Sequence, residues 1–189
     1  MSALRNEVRI IAGRWRGRRL RFPADCGIRP TPDRVRETLF NWLQGSIEGA
    51  CCLDLFAGSG ALGIEALSRG ADSVVLVERE PQVAAYLQAT LTALGASAGE
   101  VSKVDAQTFL RGAGRRFDLV FLDPPFAAGA LAPLLAALVD GGQLAPGARV
   151  YVEHAVRDGL PGLPHGLEPW RSKRAGEVGY HLLTWEGGA

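Results

Sequence analysis

Residues 51–60 read Cys51-Cys52-Leu53-Asp54-Leu55-Phe56-Ala57-Gly58-Ser59-Gly60. An apolar run ends in an acid and then in two glycines one residue apart. Cys51–Leu55 has the length and apolarity of a buried strand, and Gly60 to Arg69, closed by Gly70, has those of a helix. Gly58 and Gly60 between them allow a tight turn and close approach of the backbone to a ligand, at the place where open α/β sheets bind theirs. The spacing Gly58, Gly60, Gly63 also satisfies G-x-G-x-x-G, and Glu78 follows twenty residues after Gly58 at the end of the next apolar run, Ser73–Val77.

Outward from this unit, strand and helix signals alternate. Pro81 to Leu94 repeats Val83, Leu87, Leu91 and Leu94 on one face and stops at Gly95, a helix. Val101–Val104 is a weaker strand and Phe117–Leu122 a fourth. Leu131–Val139 reads as helix, Arg149–Glu153 as a strand, and Leu167–Glu186 as a terminal hairpin turning at Ala175–Gly179. Such alternation predicts an α/β protein with a largely parallel sheet. Upstream, Val8–Ala12 and Arg18–Phe22 are β-like runs separated by Gly13 and Gly17. Thr31-Pro32 reads as an N-cap with proline in the first turn of a helix carrying Val35, Leu39 and Leu43. The expected organisation is an Arg-rich extension over residues 1–30 and one main domain over 31–189.

The second informative stretch is Asp118-Leu119-Val120-Phe121-Leu122-Asp123-Pro124-Pro125-Phe126. Its strand breaks off in a carboxylate, two prolines and an aromatic ring. Asp123 and the Pro124 carbonyl are hydrogen-bond acceptors, Pro125 stiffens the turn, and Phe126 offers a ring face, so the turn suits a flat substrate bearing an amino group. That set fits methylation of an exocyclic base nitrogen. Asp54 favours S-adenosylmethionine over a dinucleotide, because a carboxylate repels a pyrophosphate but attracts a cationic amino-acid end. Glu78 serves either ligand, since a carboxylate accepts from both ribose hydroxyls. An NAD-linked oxidoreductase is therefore the competing class. Asp105 is a candidate acceptor for the adenine amino group, against its reading as a solvated loop acid.

The net charge of +1 conceals an asymmetry: residues 1–36 hold ten Arg and three acids, net +7, and the remainder is net −6. Arg14, Arg16, Arg18, Arg19 and Arg21, interleaved with Trp15 and Phe22, combine guanidinium forks for phosphate with rings for base stacking. RNA contact is the expectation, a solvated face the bland alternative. The three cysteines show no metal-ligand spacing and the three histidines are scattered, so no metal is expected. With no long uncharged apolar run and no signal-peptide pattern, neither a membrane partner nor export is expected, which points to the cytoplasm.

The chain resembles the RsmD family of bacterial 16S ribosomal RNA guanine-N2 methyltransferases. The likeness rests on Arg9-Ile10-Ile11-Ala12-Gly13, Arg16-Gly17-Arg18-Arg19-Leu20, Arg29-Pro30-Thr31, Arg34 to Asn41, Asp54 to Gly60, Val77-Glu78 and Asp123 to Phe126. The resemblance implies a Rossmann-like class I S-adenosylmethionine-dependent methyltransferase, with a mostly parallel seven-stranded sheet, a C-terminal antiparallel hairpin and a small Arg-rich N-terminal hairpin and helix. It implies a cofactor site of Asp54, Phe56, Gly58, Ser59, Gly60, Glu78, Asp105, Ala106 and Asp123. Its catalytic turn is Asp123, Pro124, Pro125 and Phe126, and its RNA contacts are Arg14, Trp15, Arg16, Arg18, Arg19, Arg29 and Arg34. The implied substrate is a guanine of 16S rRNA in a 30S particle, met by a monomer. Adenine N6 and a protein glutamine are the alternatives within the same chemistry.

Overall fold

The computed structural model describes residues 6–112, 114–125 and 129–187. The chain begins with a two-stranded antiparallel ribbon, β1 (Glu7–Arg9) and β2 (Arg19–Arg21), with Val8 opposite Leu20. A single 3-10 turn, Ala24–Cys26, leads to α1 (Asp33–Trp42). Pro32, not Thr31, holds the cap position of α1, and no side chain caps it. Thr31 is buried and spends its hydroxyl elsewhere. Val35, Leu39 and Phe40 lie on the covered side of α1, each worth roughly 1.5–3 kcal/mol of burial.

Then follow β3 (Cys51–Asp54), α2 (Gly63–Ser68), β4 (Ser73–Val77), α3 (Pro81–Leu94), β5 (Gly99–Ser102), α4 (Ala106–Gly112), β6 (Phe117–Leu122), α5 (Leu131–Asp140), β7 (Leu144–Ala155), β8 (Leu167–Ala175) and β9 (Val178–Trp185). The helix α4 has no counterpart in the sequence reading, because seven residues are too few to display a helical period. The helix after the glycine turn starts at Gly63 rather than Gly60, the intervening residues being used by the turn.

The main sheet runs β5-β4-β3-β6-β7-β9-β8, seven strands. It is parallel from β5 to β7 and antiparallel at β9 and β8. β3 has β4 on one side and β6 on the other, so the connections leave it in opposite directions and open a crevice beyond the strand ends. One apolar layer joins α1, α2 and α3 to the sheet and takes in Ile10, Trp15 and Leu20 of the Arg-rich segment. The other packs α4 and α5 on the opposite face. No helix among the described residues is long and apolar enough to cross a membrane.

The segment before α1 is fastened chiefly through Glu65, a fully buried acid on α2. Its carboxylate accepts the Ile11 and Ala12 N–H groups at 2.8 and 3.0 Å. It also pairs with Arg69 at 2.7 Å and with the buried Arg36 at 3.6 Å. Alongside, Ser68 Oγ accepts from the Trp15 N–H and donates to the Ala12 carbonyl. Gly13 (φ +80°) lies so close that a Cβ there would be 1.7 Å from the Ser68 carbonyl oxygen.

Candidate active site

The glycine turn closes on itself and on its neighbours. Gly60 N–H donates to Ala57 O at 2.7 Å, and Ala57 N–H to Val77 O at 3.0 Å, which ties the turn to the end of β4. Gly60 adopts φ +78°, and a Cβ there would strike Ile64 and Leu87. Gly63 lets α2 settle on β4: a Cβ would lie 2.3 Å from Leu76 Cδ2. This is the close helix–strand packing that the third glycine of such a turn provides.

Glu78, partly exposed at the tip of β4, grips the turn. One carboxylate oxygen accepts Gly58 N–H at 3.1 Å and the other accepts Glu80 N–H at 2.9 Å. Each oxygen retains a second lone pair, so ribose hydroxyls could still be accepted. Phe56 is partly buried, while Ser59 is buried with its carbonyl accepting the Tyr86 hydroxyl at 3.1 Å. Tyr86 escaped the sequence reading, as an aromatic at a helical position carries no mark of a loop anchor.

Asp54 lies beneath the turn at 3% exposure and accepts Gly63 N–H at 3.0 Å. Burial pushes its carboxyl up to about 7, against the lowering influence of the Gly63 and Phe56 N–H groups, with Glu78 adding a smaller upward push. Asp105 is exposed just before α4, accepts from both the N–H and the hydroxyl of Thr108, and is held below the usual carboxylate range by those bonds. It works as a helix cap in this structure, with Ala106 buried behind it.

On the other side of the crevice, β6 ends at Leu122 and delivers Asp123. Its carboxylate lies 3.5 Å from the Thr31 hydroxyl, which donates to it. Burial, then the charges of Glu153 and Asp54, hold the Asp123 carboxyl well above the usual range; Thr31 opposes this. Glu153, on β7, is buried and accepts the Tyr151 hydroxyl at 2.7 Å. Its carboxyl is likewise raised by burial, and the Tyr151 and Thr31 hydroxyls pull it back. Three carboxyls thus converge at the C-terminal ends of three adjacent strands, β3, β6 and β7. Beside them a pocket is lined by Pro124, Pro125, Leu131, Glu153, His154 and Pro161. Phe126 lies outside the described residues. Glu153 and Tyr151 were not anticipated, because alternating residues in an apolar strand read as core.

Neither Trp15 nor Phe22 is available for base stacking: each is 7% exposed, Trp15 in the core layer against the sheet and Phe22 packed with Val8 and Ala61. The N–H groups around Gly13 must meet Glu65 and Ser68, and that draws the indole inward. Arg14, Arg16, Arg18, Arg19, Arg29 and Arg34 are exposed. Arg19 pairs with Glu7 at 2.7 Å, and the Arg14 guanidinium sits 5.6 Å from the Trp15 ring centre.

The chain that builds this crevice, with its glycine turn, strand-end acid and acid-proline tip, has known relatives. A family profile described as Conserved hypothetical protein 95 matches residues 8–184. The Escherichia coli K12 protein named Ribosomal RNA small subunit methyltransferase D is 48% identical over 180 residues, 95% of this chain and 91% of that protein. The chain belongs to the RsmD family. Its namesake from Haemophilus influenzae is 43% identical over 94% of each chain. The solved Escherichia coli yhhF structure superposes with TM-score 0.90 at 45% identity, covering 96% of this chain and 99% of that one. Thermus thermophilus TrmN, at 21% identity and TM-score 0.64, shares the fold. The RsmD-family chain accordingly has the Rossmann-like α/β fold of S-adenosylmethionine-dependent methyltransferases.

Proposed function

We propose that this protein transfers a methyl group from S-adenosylmethionine to the exocyclic N2 amino group of a guanine in 16S rRNA, acting as a cytoplasmic monomer on a 30S particle. The observation that carries this reading is the position of Asp123 and Pro124 at the tip of β6, across the crevice from the glycine turn of β3. The relatives' name points to small-subunit rRNA.

The residues fit the donor. Glu78 would take the ribose hydroxyls, the Gly58–Gly60 turn would give the backbone room for the nucleoside, Asp105 and Ala106 would flank the adenine, and the Asp54 side of the crevice is acidic. When bound, S-adenosylmethionine supplies an electrophilic methyl on a sulfonium. Asp54, beneath the turn, disfavours NAD, whose diphosphate it would repel when ionised.

A guanine amino group is a poor nucleophile because its lone pair is delocalised into the ring. Asp123 and the Pro124 carbonyl accept its two hydrogens, draw it toward pyramidal geometry and stabilise the charge that builds on nitrogen. Phe126 is assigned to the base face. As the N–C bond forms and the S–C pair returns to sulfur, the amino nitrogen, still bearing both hydrogens, becomes cationic and has one proton to shed. Asp123, whose burial raises its proton affinity, takes that proton and passes it to solvent. No nucleophilic side chain takes part.

The test is incubation of 30S particles from a strain lacking the gene with methyl-labelled S-adenosylmethionine, followed by digestion to nucleosides. Label in N2-methylguanosine is expected. Label in N6-methyladenosine, or in protein, would replace this reading with one of its neighbours.

A further inference from the structure

We propose that the outer strand β8 is a second RNA-contact surface, with Trp170 as a stacking platform for an unpaired base and Arg149, Arg171 and Lys173 as its phosphate contacts. This rests on the reading of the protein as an rRNA methyltransferase.

Trp170 is the one exposed large hydrophobic side chain among the described residues, at 42% exposure. The pairing of β8 with β9 slips between Pro169 and Arg171, leaving Trp170 as the extra residue of a bulge. Bulges re-aim side chains. The Arg149 and Arg171 guanidinium carbons lie 4.7 and 4.6 Å from the Trp170 ring centre. A partly exposed ring with two guanidinium groups against it is a site where a base can displace one of them and stack while its phosphates meet the cations.

The three cations have no anionic partner among the described residues, although Arg149 donates to the Thr184 hydroxyl at 2.6 Å and to the Gly147 carbonyl at 3.2 Å. Among the described residues no carboxylate lies within ion-pair distance of Arg149, Arg171 or Lys173, whereas Arg19 and Arg21 share Glu7, and Arg36 and Arg69 share Glu65. Edge strands often carry Lys and Arg to prevent strand-on-strand aggregation. That role has no use for an exposed tryptophan.

Register connects the patch to the crevice. Lys173 lies opposite Tyr180, and Tyr180 opposite Glu153, so Lys173 is two strand spacings, roughly 10 Å, from the Glu153 strand position. Arg171 lies opposite Leu182, one alternation further down. Side chains on alternate residues share a face, so Arg171 and Lys173 project to the side on which Trp42 of α1 stacks on Tyr180. The Arg-rich segment packs in the layer on this same side. RNA flanking the target nucleotide therefore meets cations on both flanks of the crevice, from the N-terminal ribbon and from β8.

The experiment compares wild type, Trp170→Ala, the double variant Arg171→Gln with Lys173→Gln, and the charge-keeping double variant Arg171→Lys with Lys173→Arg. Filter binding to poly(U) is measured across a salt series, together with single-turnover methylation of 30S particles and calorimetric binding of S-adenosylmethionine. The expected results are affinity for poly(U) about tenfold weaker in Trp170→Ala, and a log–log salt slope shallower by about 1.4 in the Gln double variant. The charge-keeping variant should retain the wild-type slope, and donor binding should be unchanged throughout. Wild-type slope and affinity in both Trp170→Ala and the Gln variant, with wild-type methylation intact, would overturn the proposal for β8 alone. A wild-type protein that neither binds RNA nor methylates 30S particles would instead overturn the rRNA reading beneath it.

Discussion

The Thr31 hydroxyl donates to the Asp123 carboxylate at 3.5 Å across 92 positions of sequence. The Arg29-Pro30-Thr31 stretch that leads the chain into α1 therefore ends at the proposed acceptor of the reaction, and the N-terminal segment takes part in setting the charge state of Asp123.

Replacing Thr31 by valine removes that donor at nearly constant volume. A hydroxyl donating to a carboxylate favours the ionised form, so its loss raises the Asp123 proton affinity further. The acid limb of the single-turnover rate should move to higher pH, with a loss of roughly two- to tenfold at neutral pH. An unmoved limb would mean the hydroxyl serves packing only.

Asp123→Ala should reduce single-turnover methylation by about 100-fold or more while leaving donor binding within a few-fold. Asp123→Asn keeps an oxygen acceptor and loses the proton sink, and is expected between alanine and wild type. Retention of a third or more of the wild-type rate by the alanine variant would remove Asp123 from the chemistry.

The raised carboxyls predict proton release on binding the donor. Asp54 and Asp123 hold protons at pH values where exposed acids have lost them. A sulfonium and an ammonium arriving nearby favour the ionised forms, so affinity should rise between about pH 6 and 8. Calorimetry in two buffers of different ionisation enthalpy should register the released protons, fewer with uncharged-sulfur S-adenosylhomocysteine. Equal apparent enthalpies in the two buffers would contradict it.

Asp54 also bears on stability. Its carboxyl is raised from 3.8 to about 7, so between those values the folded chain keeps a proton that the unfolded chain gives up. Wild-type stability falls as pH rises through this window, up to about 4 kcal/mol at 1.36 kcal/mol per unit. Asp54→Asn still offers an oxygen to Gly63 and does not titrate. Its stability relative to wild type, from urea unfolding of the unliganded protein, should climb from pH 4.5 to 7.5; a constant difference would refute the assignment.

Gly13 and Gly17 have nearly equal positive φ, +80° and +84°, but only Gly13 faces an obstacle, the Ser68 carbonyl. Alanine at Gly17 should cost about 1–2 kcal/mol of backbone strain. At Gly13 the cost should be about 3 kcal/mol or more, since the contact with α2 must open as well. Equal losses in chemical denaturation would show that the docking contact adds nothing.

Much of this was readable in the sequence where local chemistry repeats or breaks sharply. The bounds of α3 and β6 follow from a four-residue apolar spacing and from an apolar run halted by Asp123-Pro124. The spacing of Gly58, Gly60 and Gly63 marked the turn, while the packing of Gly63 on β4 shows only in the structure. What the sequence hid depends on contacts between distant segments. Trp15 sits among arginines and reads as a stacking ring, yet Glu65 and Ser68, fifty and fifty-three residues later, pull its segment inward. Glu65 itself is one acid within Gly-Ile-Glu-Ala-Leu-Ser. Thr31 reads as a helix cap because its partner, Asp123, lies just past β6, far along the chain. Tyr151 and Glu153 occupy alternating places on a strand whose neighbours decide that they face acids rather than aliphatic side chains.

Because Glu65 holds Ile11, Ala12, Arg36 and Arg69 from inside α2, the first thirty residues are not a portable module. A chimera that grafts this ribbon onto another methyltransferase must import the acid at 65 and the serine at 68 with it. Without them the recipient scaffold's own helix would leave the Ile11, Ala12 and Trp15 amide hydrogens and the Ala12 carbonyl stranded, and the transplant would come loose.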